Sequence, residues 1–375
     1  MYVYLDNAAT SRFKPQGVVN AINYDLAHSA NSGRSGHRDA IAAGLRIEEC
    51  RALLLNLLGA RDSEVIFTKS CTEALNLALF GYIKGAERVL TTANEHNAVL
   101  RPLFELKRRG LITLTVLEQE EDGTIELSKL SEAASHADVA VLGGICNVTG
   151  ASIDLYDAAR LIKKQGCTLI VDGAQSVPLE RINMSDSDID MLALAGHKGL
   201  HGVQGTGCLI KKKEITLLPL VYGGTGTYSS SVNQPIDSPE GFESGTQFAG
   251  GIAALKEGAK WSFDNLNETE KKYSQLAKTI LYNLKSIGCT LYNANTTSGI
   301  LAFNIGDADS GYVASLLDEN GIAVRAGLHC APLVHRRLGT LERGIVRASL
   351  GVETTKKDIL YFSNVVERIA ATLLK

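Results

Sequence analysis

The sequence has few features of an exported, membrane-spanning or nucleic-acid-binding chain. Its 7 cysteines form no CxxC pair, which argues against a zinc site or a disulfide framework. No run approaches the ~18 apolar residues of a transmembrane helix, and Met1–Asp6 contain no basic segment followed by an apolar run. The net charge of -3 gives no electrostatic reason for nucleic-acid binding. We therefore expect a cytoplasmic protein without a membrane or nucleic-acid partner, acting on a small molecule.

Short apolar runs rich in β-branched residues recur between residues 64 and 212, and helical patterns such as Thr72–Ile83 and Leu155–Gln165 separate several of them. This alternation predicts an α/β fold with a mainly parallel sheet. The last two runs lie too close together for a crossover helix, so the final strand is expected to be antiparallel. The seven predicted strands are Val65–Thr68, Arg88–Thr92, Leu114–Glu118, Asp138–Ile145, Thr168–Asp172, Met191–Ala195 and Cys208–Lys211.

The pattern changes after the last of these strands. Residues 222–251 are rich in glycine and serine and predict a long loop, a kind that usually carries function or disorder. A helical pattern from about 250 to 287 then leads into further strands and helices. We expect a large domain over residues 13–255 and a smaller α+β domain over 256–375, joined by the N-terminal residues 1–12.

Asp172 and Lys198 are the first candidate site residues. Asp172 ends a predicted strand at the carboxyl edge, where open α/β sheets bind ligands; a helix-capping or turn aspartate would look the same. Lys198 lies in the turn Gly196–Gly199, where a buried amine could form a Schiff base. Taken alone, it fits an ordinary surface lysine equally well.

Two histidines near this lysine raise the possibility of a metal site. His197 and His201 have i, i+4 spacing, but the glycines around them disfavour a helix and no third ligand is near. We therefore predict no metal.

A strand, a tight turn and a helix are predicted over residues 64–79. Ser70 and Glu73 have the spacing of a capping box at the helix start. Amide donors at a helix N-terminus suit a phosphate, although a simply capped helix explains the pattern as well.

Together, these segments resemble the class V aminotransferase family of fold-type-I pyridoxal-phosphate enzymes, and within it the branch of cysteine desulfurases and selenocysteine lyases. The resemblance spans nearly the whole chain and implies a seven-stranded, mainly parallel sheet in the large domain. It rests on Tyr4-Leu-Asp-Asn-Ala-Ala-Thr10, Ser70-Cys-Thr-Glu-Ala-Leu-Asn76, Glu95-His-Asn97, Asn147-Val-Thr-Gly150, Asp172-Gly-Ala-Gln175, Gly196-His-Lys198 and Arg325-Ala-Gly-Leu-His-Cys330.

The resemblance implies roles around the cofactor, pyridoxal 5'-phosphate. Lys198 would hold the cofactor and act as the base, and Asp172 would pair with the protonated pyridine nitrogen. Gln175 would bond the phenolic oxygen, and His96 would stack on the ring and relay protons. Asn147 matches a position that contacts the ring or the substrate.

The resemblance also implies contacts to the cofactor phosphate and to the substrate. Cys71, Thr72 and His197 would bind the phosphate, and Thr246 matches a residue that reaches the phosphate of the neighbouring subunit, which implies a homodimer. Arg347 would grip the substrate carboxylate through two hydrogen bonds.

Cys330 resembles the sulfur-accepting nucleophile of the branch whose cysteine lies on a short loop, the group II type. His329 and Arg325 beside it would favour the reactive thiolate if they point toward it. Arg325 and Arg34 are also expected near the substrate. The chain departs from the family at Gly33-Arg34, which replaces a His-Arg pair, and in the loop after Cys330, which lacks one residue. Another departure is Ala195, in place of a phosphate-binding serine.

The function that follows is conversion of L-cysteine to L-alanine, with sulfur passing to Cys330 as a persulfide and then to a separate acceptor. A selenocysteine lyase is the nearest alternative, because selenium can leave without attack by a thiolate. Another class V aminotransferase or lyase that does not use Cys330, or a non-catalytic regulatory homologue, are the remaining alternatives.

Overall fold

The computed structural model describes residues 1–32, 35–120, 122–293 and 295–374. In chain order the first elements are β1 Val3–Tyr4, α1 Gln16–Ala27, α2 Arg38–Leu57, β2 Ser63–Thr68, α3 Cys71–Tyr82, β3 Glu87–Thr92, α4 Asn97–Arg108, β4 Ile112–Leu117, α5 Leu127–Ala134, β5 Val139–Gly143, α6 Leu155–Lys164, β6 Thr168–Asp172, β7 Met191–Ala195 and β8 Gly207–Lys212. They are followed by a short 3-10 helix Pro239–Phe242, α7 Ala249–Asp264, α8 Leu266–Ile287, β9 Thr290–Leu291, β10 Ile300–Asn304, α9 Ser310–Glu319, β11 Ile322–Ala323, α10 Pro332–Arg337, β12 Val346–Ser349 and α11 Lys356–Leu373.

Seven strands form one sheet in the order β2-β8-β7-β6-β5-β3-β4. Pairing is parallel from β7 through β4, whereas β8 is antiparallel to both of its neighbours, β2 and β7. The connection between β7 and β8 is too short for the helix that a parallel crossover needs. The predicted mainly parallel sheet and its antiparallel final strand are confirmed.

Helices cover both faces of this sheet, which explains why its strands read as continuous apolar runs. In β6, Leu169 and Val171 pack into a core shared with α2, α5, α6 and α7. Ile170 faces the other way, into a core built with α3 and α4. The strands are therefore packed on both faces, and the carboxyl ends of the parallel strands lie together at one edge of the sheet.

The C-terminal part of the chain, from α8 to α11, has a second hydrophobic core. We call this part the small unit, and we call the part around the seven-stranded sheet the large unit. The small unit has the antiparallel order β12-β10-β9, covered by α8, α9 and α11. Phe303 and Phe362 contact edge to face at its centre, with ring centroids 6.0 Å apart. Val3 and Leu5 from the N-terminus pack into the same core, and β1 pairs with β11.

The domain division at residue 255 stays a prediction. Residue 255 lies inside α7, which packs against α1 and α2 of the large unit. We propose that the division falls after Asp264, where α7 ends and α8 leads into the small unit. The packing of Val3 and Leu5 supports the proposal that the N-terminal residues join the small unit.

Candidate active site

A cavity opens at the carboxyl ends of the parallel strands. Its walls come from the ends of β5, β6 and β7, from the start of α3 and from the segment before α4. Eight residues that the sequence predicted for the site line it: Cys71, Thr72, His96, Asn147, Asp172, Gln175, His197 and Lys198.

Asp172 ends β6 and presents its carboxylate at the cavity wall. The Cys71 thiol donates to Asp172 Oδ1 over 3.4 Å, and the Ala174 backbone N–H donates to the same oxygen over 3.0 Å. Burial and the adjacent carboxylate raise the pKa of the Cys71 thiol well above its ordinary value, so Cys71 is a donor. Both bonds use one oxygen, which leaves Oδ2 able to accept from a ligand in the cavity.

Lys198 follows β7 and lines the same cavity as Asp172. Burial lowers the pKa of the Lys198 amine below its ordinary value, and the Asp172 carboxylate opposes this shift. A lysine in such surroundings is more often neutral than an exposed one, and the neutral amine is the form that attacks a carbonyl group.

His96 and His197 are both neutral at pH 7. Burial, and then the Lys198 charge, lower the pKa of each imidazole to about 4. His96 Nδ1 accepts from the Ala98 backbone N–H over 3.0 Å and so caps α4, which leaves the proton on Nε2. His197 Nδ1 is buried and has no hydrogen-bond partner among the described residues, so it is available to a ligand.

The start of α3 provides the predicted anion-binding end of a helix. Ser70 is the N-cap, and its hydroxyl accepts from the Glu73 backbone N–H over 3.2 Å. The predicted capping box is only half formed, because the Glu73 carboxylate accepts from the Lys69 N–H, 2.6 Å away, one residue before the N-cap. Gly207 on β8 lies beneath this turn, where a Cβ would lie 2.9 Å from the Cys71 nitrogen. A side chain there would displace the helix start.

Gln175 lines the cavity three residues after Asp172, and the N-terminal segment holds its side chain. Its side-chain Nε2 donates to the Ala8 carbonyl oxygen over 2.9 Å. The N-terminal segment therefore fixes the Gln175 amide.

Arg347 is buried behind the cavity, in β12, and does not line it. Its Nη2 is 3.0 Å from Asp6 Oδ1, and its Nη1 donates to the Asn147 carbonyl oxygen over 2.8 Å. Arg347 and Arg325 pair through their backbones. Arg347 Nε is buried without a hydrogen-bond partner in the described part of the chain, so the guanidinium keeps donor capacity for a carboxylate.

Cys330 lies on a tight turn between β11 and α10, outside the cavity lining, and is exposed, whereas the other six cysteines are buried. Its carbonyl oxygen accepts from the Asn97 backbone N–H over 2.6 Å, beside His96. The expectation that His329 favours the thiolate is wrong. Burial lowers the pKa of the His329 imidazole to about 3, and its Nε2 bonds the Ile345 carbonyl oxygen over 2.9 Å, so the ring supplies no positive charge.

One further predicted residue lies apart from the cavity, and another lies outside the described residues. Thr246 is exposed on the loop between β8 and α7 and does not line the cavity of its own chain. The loop is anchored by Glu243, whose carboxylate accepts from the Phe67 N–H over 2.6 Å and pairs with Arg51. Arg34, and Gly33 before it, lie outside the described residues.

The described chain contains no group of three or more His, Cys, Asp or Glu side chains placed to hold a metal ion. The His201 ring contacts the Ser262 hydroxyl at 3.0 Å and packs against Trp261. In the same residues, no helix is long and apolar enough to cross a membrane.

Glu95 also lines the cavity. It begins the motif Glu95-His-Asn97, but the sequence predicted no role for it. Its side chain is buried, and Thr92 Oγ1 donates to it over 2.6 Å. Burial, together with the negative charge of Asp172, raises the pKa of the Glu95 carboxyl to about 8. Glu95 is therefore largely protonated at pH 7, a state that depends on packing and that no local pattern reveals.

We expect Glu95→Gln to stabilise the protein at pH 8.5 relative to wild type, and much less at pH 5. The folded-state pKa of about 8 exceeds the ordinary value of 4.5. Wild type therefore loses stability as the pH rises through this interval, by roughly 1.4 kcal/mol per pH unit, and glutamine does not. Urea unfolding at both pH values measures the difference. The exposed Glu132→Gln serves as a control, and equal behaviour of the two variants would contradict a protonated Glu95.

Known proteins share this fold and length. A probable cysteine desulfurase of Pyrococcus abyssi (strain GE5 / Orsay) is 31% identical over 383 residues, covering 99% of this chain and 95% of the relative. The apo structure of a cysteine desulfurase from Thermococcus onnurineus NA1 has a TM-score of 0.92 at 30% identity, covering 99% and 95%. The cysteine desulfurase CsdA of Escherichia coli, solved as an S-sulfonic acid, has a TM-score of 0.88 at 29% identity, with the same coverage.

These neighbours confirm the predicted fold class, the α/β fold-type-I architecture with a mainly parallel seven-stranded sheet. Residues 3–362 match the family described as Aminotransferase class-V. Because that match covers nearly the whole described chain, the resemblance inferred from the sequence is confirmed, and the chain belongs to the class V aminotransferase family.

Proposed function

We propose that this chain is a pyridoxal-phosphate-dependent cysteine desulfurase, which converts L-cysteine to L-alanine and receives the sulfur on Cys330. One observation carries the proposal: Asp172 and Lys198 line the same cavity, and the exposed Cys330 accepts a hydrogen bond at its carbonyl oxygen from the start of α4. The desulfurases to which the chain is similar support the same reaction.

The residues of the cavity fit pyridoxal 5'-phosphate. His197 Nδ1 is a buried atom without a partner in the described structure, and the α3 N-terminus beside it offers amide donors with Cys71 and Thr72, so this end suits the phosphate. Asp172 would hold the protonated ring nitrogen, Gln175 the phenolic oxygen, His96 the ring face, and Lys198 the aldehyde carbon. When bound, the cofactor supplies an electron sink for the carbanion formed at the substrate Cα.

The protein groups around the substrate then have distinct tasks. Arg347 would bind the carboxylate with its free donors, with Arg325 and Arg34 adding positive charge and Asn147 an amide contact. Lys198, whose pKa burial lowers, takes the Cα proton at Nζ and returns a proton to the product. Neutral His96, with its proton on Nε2, would relay protons to and from the substrate.

Cys330 completes the reaction as the sulfur acceptor. Its thiolate attacks the substrate sulfur, an S–S bond forms, the substrate C–S bond breaks, and the carbon takes up a proton. L-Cysteine and the Cys330 thiol thus become L-alanine and a Cys330 persulfide, so that no external oxidant is needed. The short turn on which Cys330 lies, with Pro332 starting α10 two residues later, supports the group II assignment, and a separate acceptor would take the sulfur.

The assembly that we propose is a homodimer in which Thr246 binds the cofactor phosphate of the partner subunit. Thr246 is exposed and absent from the cavity of its own chain. Its loop also exposes large apolar side chains, among them Tyr222, Tyr228 and Val232, which a partner surface could cover. A cytoplasmic location is proposed because all seven cysteines are free.

Replacing Cys330 tests the reaction. We expect Cys330→Ala to lower alanine release from L-cysteine at least about 100-fold while keeping release from L-selenocysteine, because a selenol leaves without thiolate attack. Cofactor-loaded wild type and the buried-cysteine variant Cys289→Ala are assayed in parallel with excess thiol. Full L-cysteine turnover by Cys330→Ala would contradict the nucleophile role. Turnover of selenocysteine alone by wild type would instead identify a lyase, and no turnover of either would indicate another class V substrate or a non-catalytic protein.

Mixing two variants with impaired cofactor binding tests the dimer. Thr246→Ala is expected to weaken cofactor binding about 10-fold or more, the loss of one hydrogen bond to a charged group, and Lys198→Ala to abolish covalent cofactor binding. In mixed dimers one site contains both wild-type residues, so cofactor binding at limiting concentration should return to half of the sites. Thr246 acting within its own chain would restore none, and that result would contradict the proposal.

A further inference from the structure

The segment 325–331, which we call the nucleophile loop, belongs to the small unit but is bonded to the large unit. The Cys330 carbonyl oxygen accepts from the Asn97 backbone N–H at the start of α4 over 2.6 Å. The His329 carbonyl oxygen accepts from Asn147 Nδ2 over 2.7 Å, and this bond is buried. The position of Cys330 relative to the cavity is therefore set by two contacts that cross between the units.

The backbone of this loop needs such contacts. His329 and Cys330 have φ values of 47° and 58°, the left-handed region that residues with a Cβ rarely adopt. Two consecutive residues of this kind persist only where surrounding bonds hold them. The His329 ring supplies a third bond, from Nε2 to the Ile345 carbonyl oxygen over 2.9 Å.

Asn147 makes the side-chain contact that reaches the loop from the cavity wall. Its Nδ2 is committed to the His329 carbonyl oxygen, its own carbonyl oxygen accepts from Arg347 Nη1 over 2.8 Å, and its Oδ1 is buried without a partner among the described residues. One residue thus joins the cavity, the carboxylate-binding arginine and the nucleophile loop.

We propose that Asn147 is a positioning residue for Cys330: its amide N–H holds the strained nucleophile loop so that the thiol lies at the substrate sulfur. This role rests on the proposed desulfurase function and goes beyond the contact to ring or substrate that the family resemblance implies. Removing the amide donor leaves the strained turn without one of the three hydrogen bonds that His329 and Cys330 make to residues outside the loop. An aspartate is nearly isosteric, but it places an oxygen against the His329 carbonyl oxygen and repels it.

The test compares two substrates in cofactor-loaded protein. L-Cysteine needs Cys330 as its sulfur acceptor. L-Cysteine sulfinate does not, because its sulfur leaves as sulfur dioxide while the bonding electrons stay on carbon, which takes up a proton to give alanine. The variants are Asn147→Ala and Asn147→Asp, with Asn94→Ala as a matched control. Asn94 also lines the cavity and donates through Nδ2 to a carbonyl oxygen, that of Gly123, over 2.8 Å.

We expect the ratio of cysteine to sulfinate turnover to fall at least about 10-fold in both Asn147 variants, the loss of one buried hydrogen bond, and to stay at the wild-type value in Asn94→Ala. An equal loss on both substrates would overturn the proposal, since it would assign Asn147 to binding alone.

Amide hydrogen exchange gives a readout that does not depend on activity. The Asn97 and Ala331 N–H groups are bonded within or to the loop, to Cys330 and Leu328 respectively, so their exchange in ligand-free protein should quicken at least about 10-fold in both Asn147 variants. Unchanged exchange would overturn the positioning role of Asn147 even if the enzyme proves to be a desulfurase. Faster exchange in a protein without Cys330-dependent turnover would support that role and reject the proposed function instead.

Discussion

The electrostatic balance between Lys198 and Asp172 is the interaction on which the rest of the site depends. Both lie at the carboxyl ends of neighbouring parallel strands, where Asp172 is paired in register with Ala193. Burial disfavours the lysine charge, whereas the carboxylate favours it, and the balance lowers the pKa of the Lys198 amine below its ordinary value. Burial, and then the positive charge of Lys198, lower the pKa of the His96 and His197 imidazoles. The protonation of the site residues therefore depends on how deeply the fold buries them.

A second constraint joins the two units. Arg347 is buried in the small unit, yet its guanidinium contacts Asp6 of the N-terminal segment and the carbonyl oxygen of Asn147 in the large unit. A buried arginine needs such partners, because an unpaired charge is costly to remove from water. The same contacts join Arg347, the cavity wall and the nucleophile loop in one hydrogen-bond network, so that the position of each depends on the others.

The sequence predicted those parts of the molecule that depend on local periodicity and chain length. Continuous apolar runs predicted the strands, and the short link after Ala195 predicted the antiparallel β8. Asp172 ends one such run and Lys198 lies in the turn just after another, which marked both as candidates for the carboxyl edge of the sheet. The helical pattern from 250 to 287, in contrast, is divided at Asn265 into α7 and α8, and only their packing against different cores separates them.

Tertiary contacts account for what the sequence could not predict. Glu95 is largely protonated because the fold buries it near Asp172. The hydrogen bond from the Asn147 side-chain amide to the His329 carbonyl oxygen joins residues 182 positions apart. The neutral His329 follows from burial of its ring, whereas its position beside Cys330 suggested a charged partner. Family resemblance predicted residues for the site, and eight of them line one cavity; the role of each stays a prediction.

Reductive trapping tests whether Lys198 holds the cofactor. Protein incubated with pyridoxal 5'-phosphate and reduced with borohydride is digested, and the modified lysine is located by mass spectrometry. Lys14 is the informative competitor, because burial lowers its amine pKa to about 8 and makes it reactive. We expect one equivalent of label per chain on Lys198, and none in Lys198→Ala. Label on Lys14 or spread over several lysines, with Lys198 unmodified in folded protein, would contradict this role of Lys198.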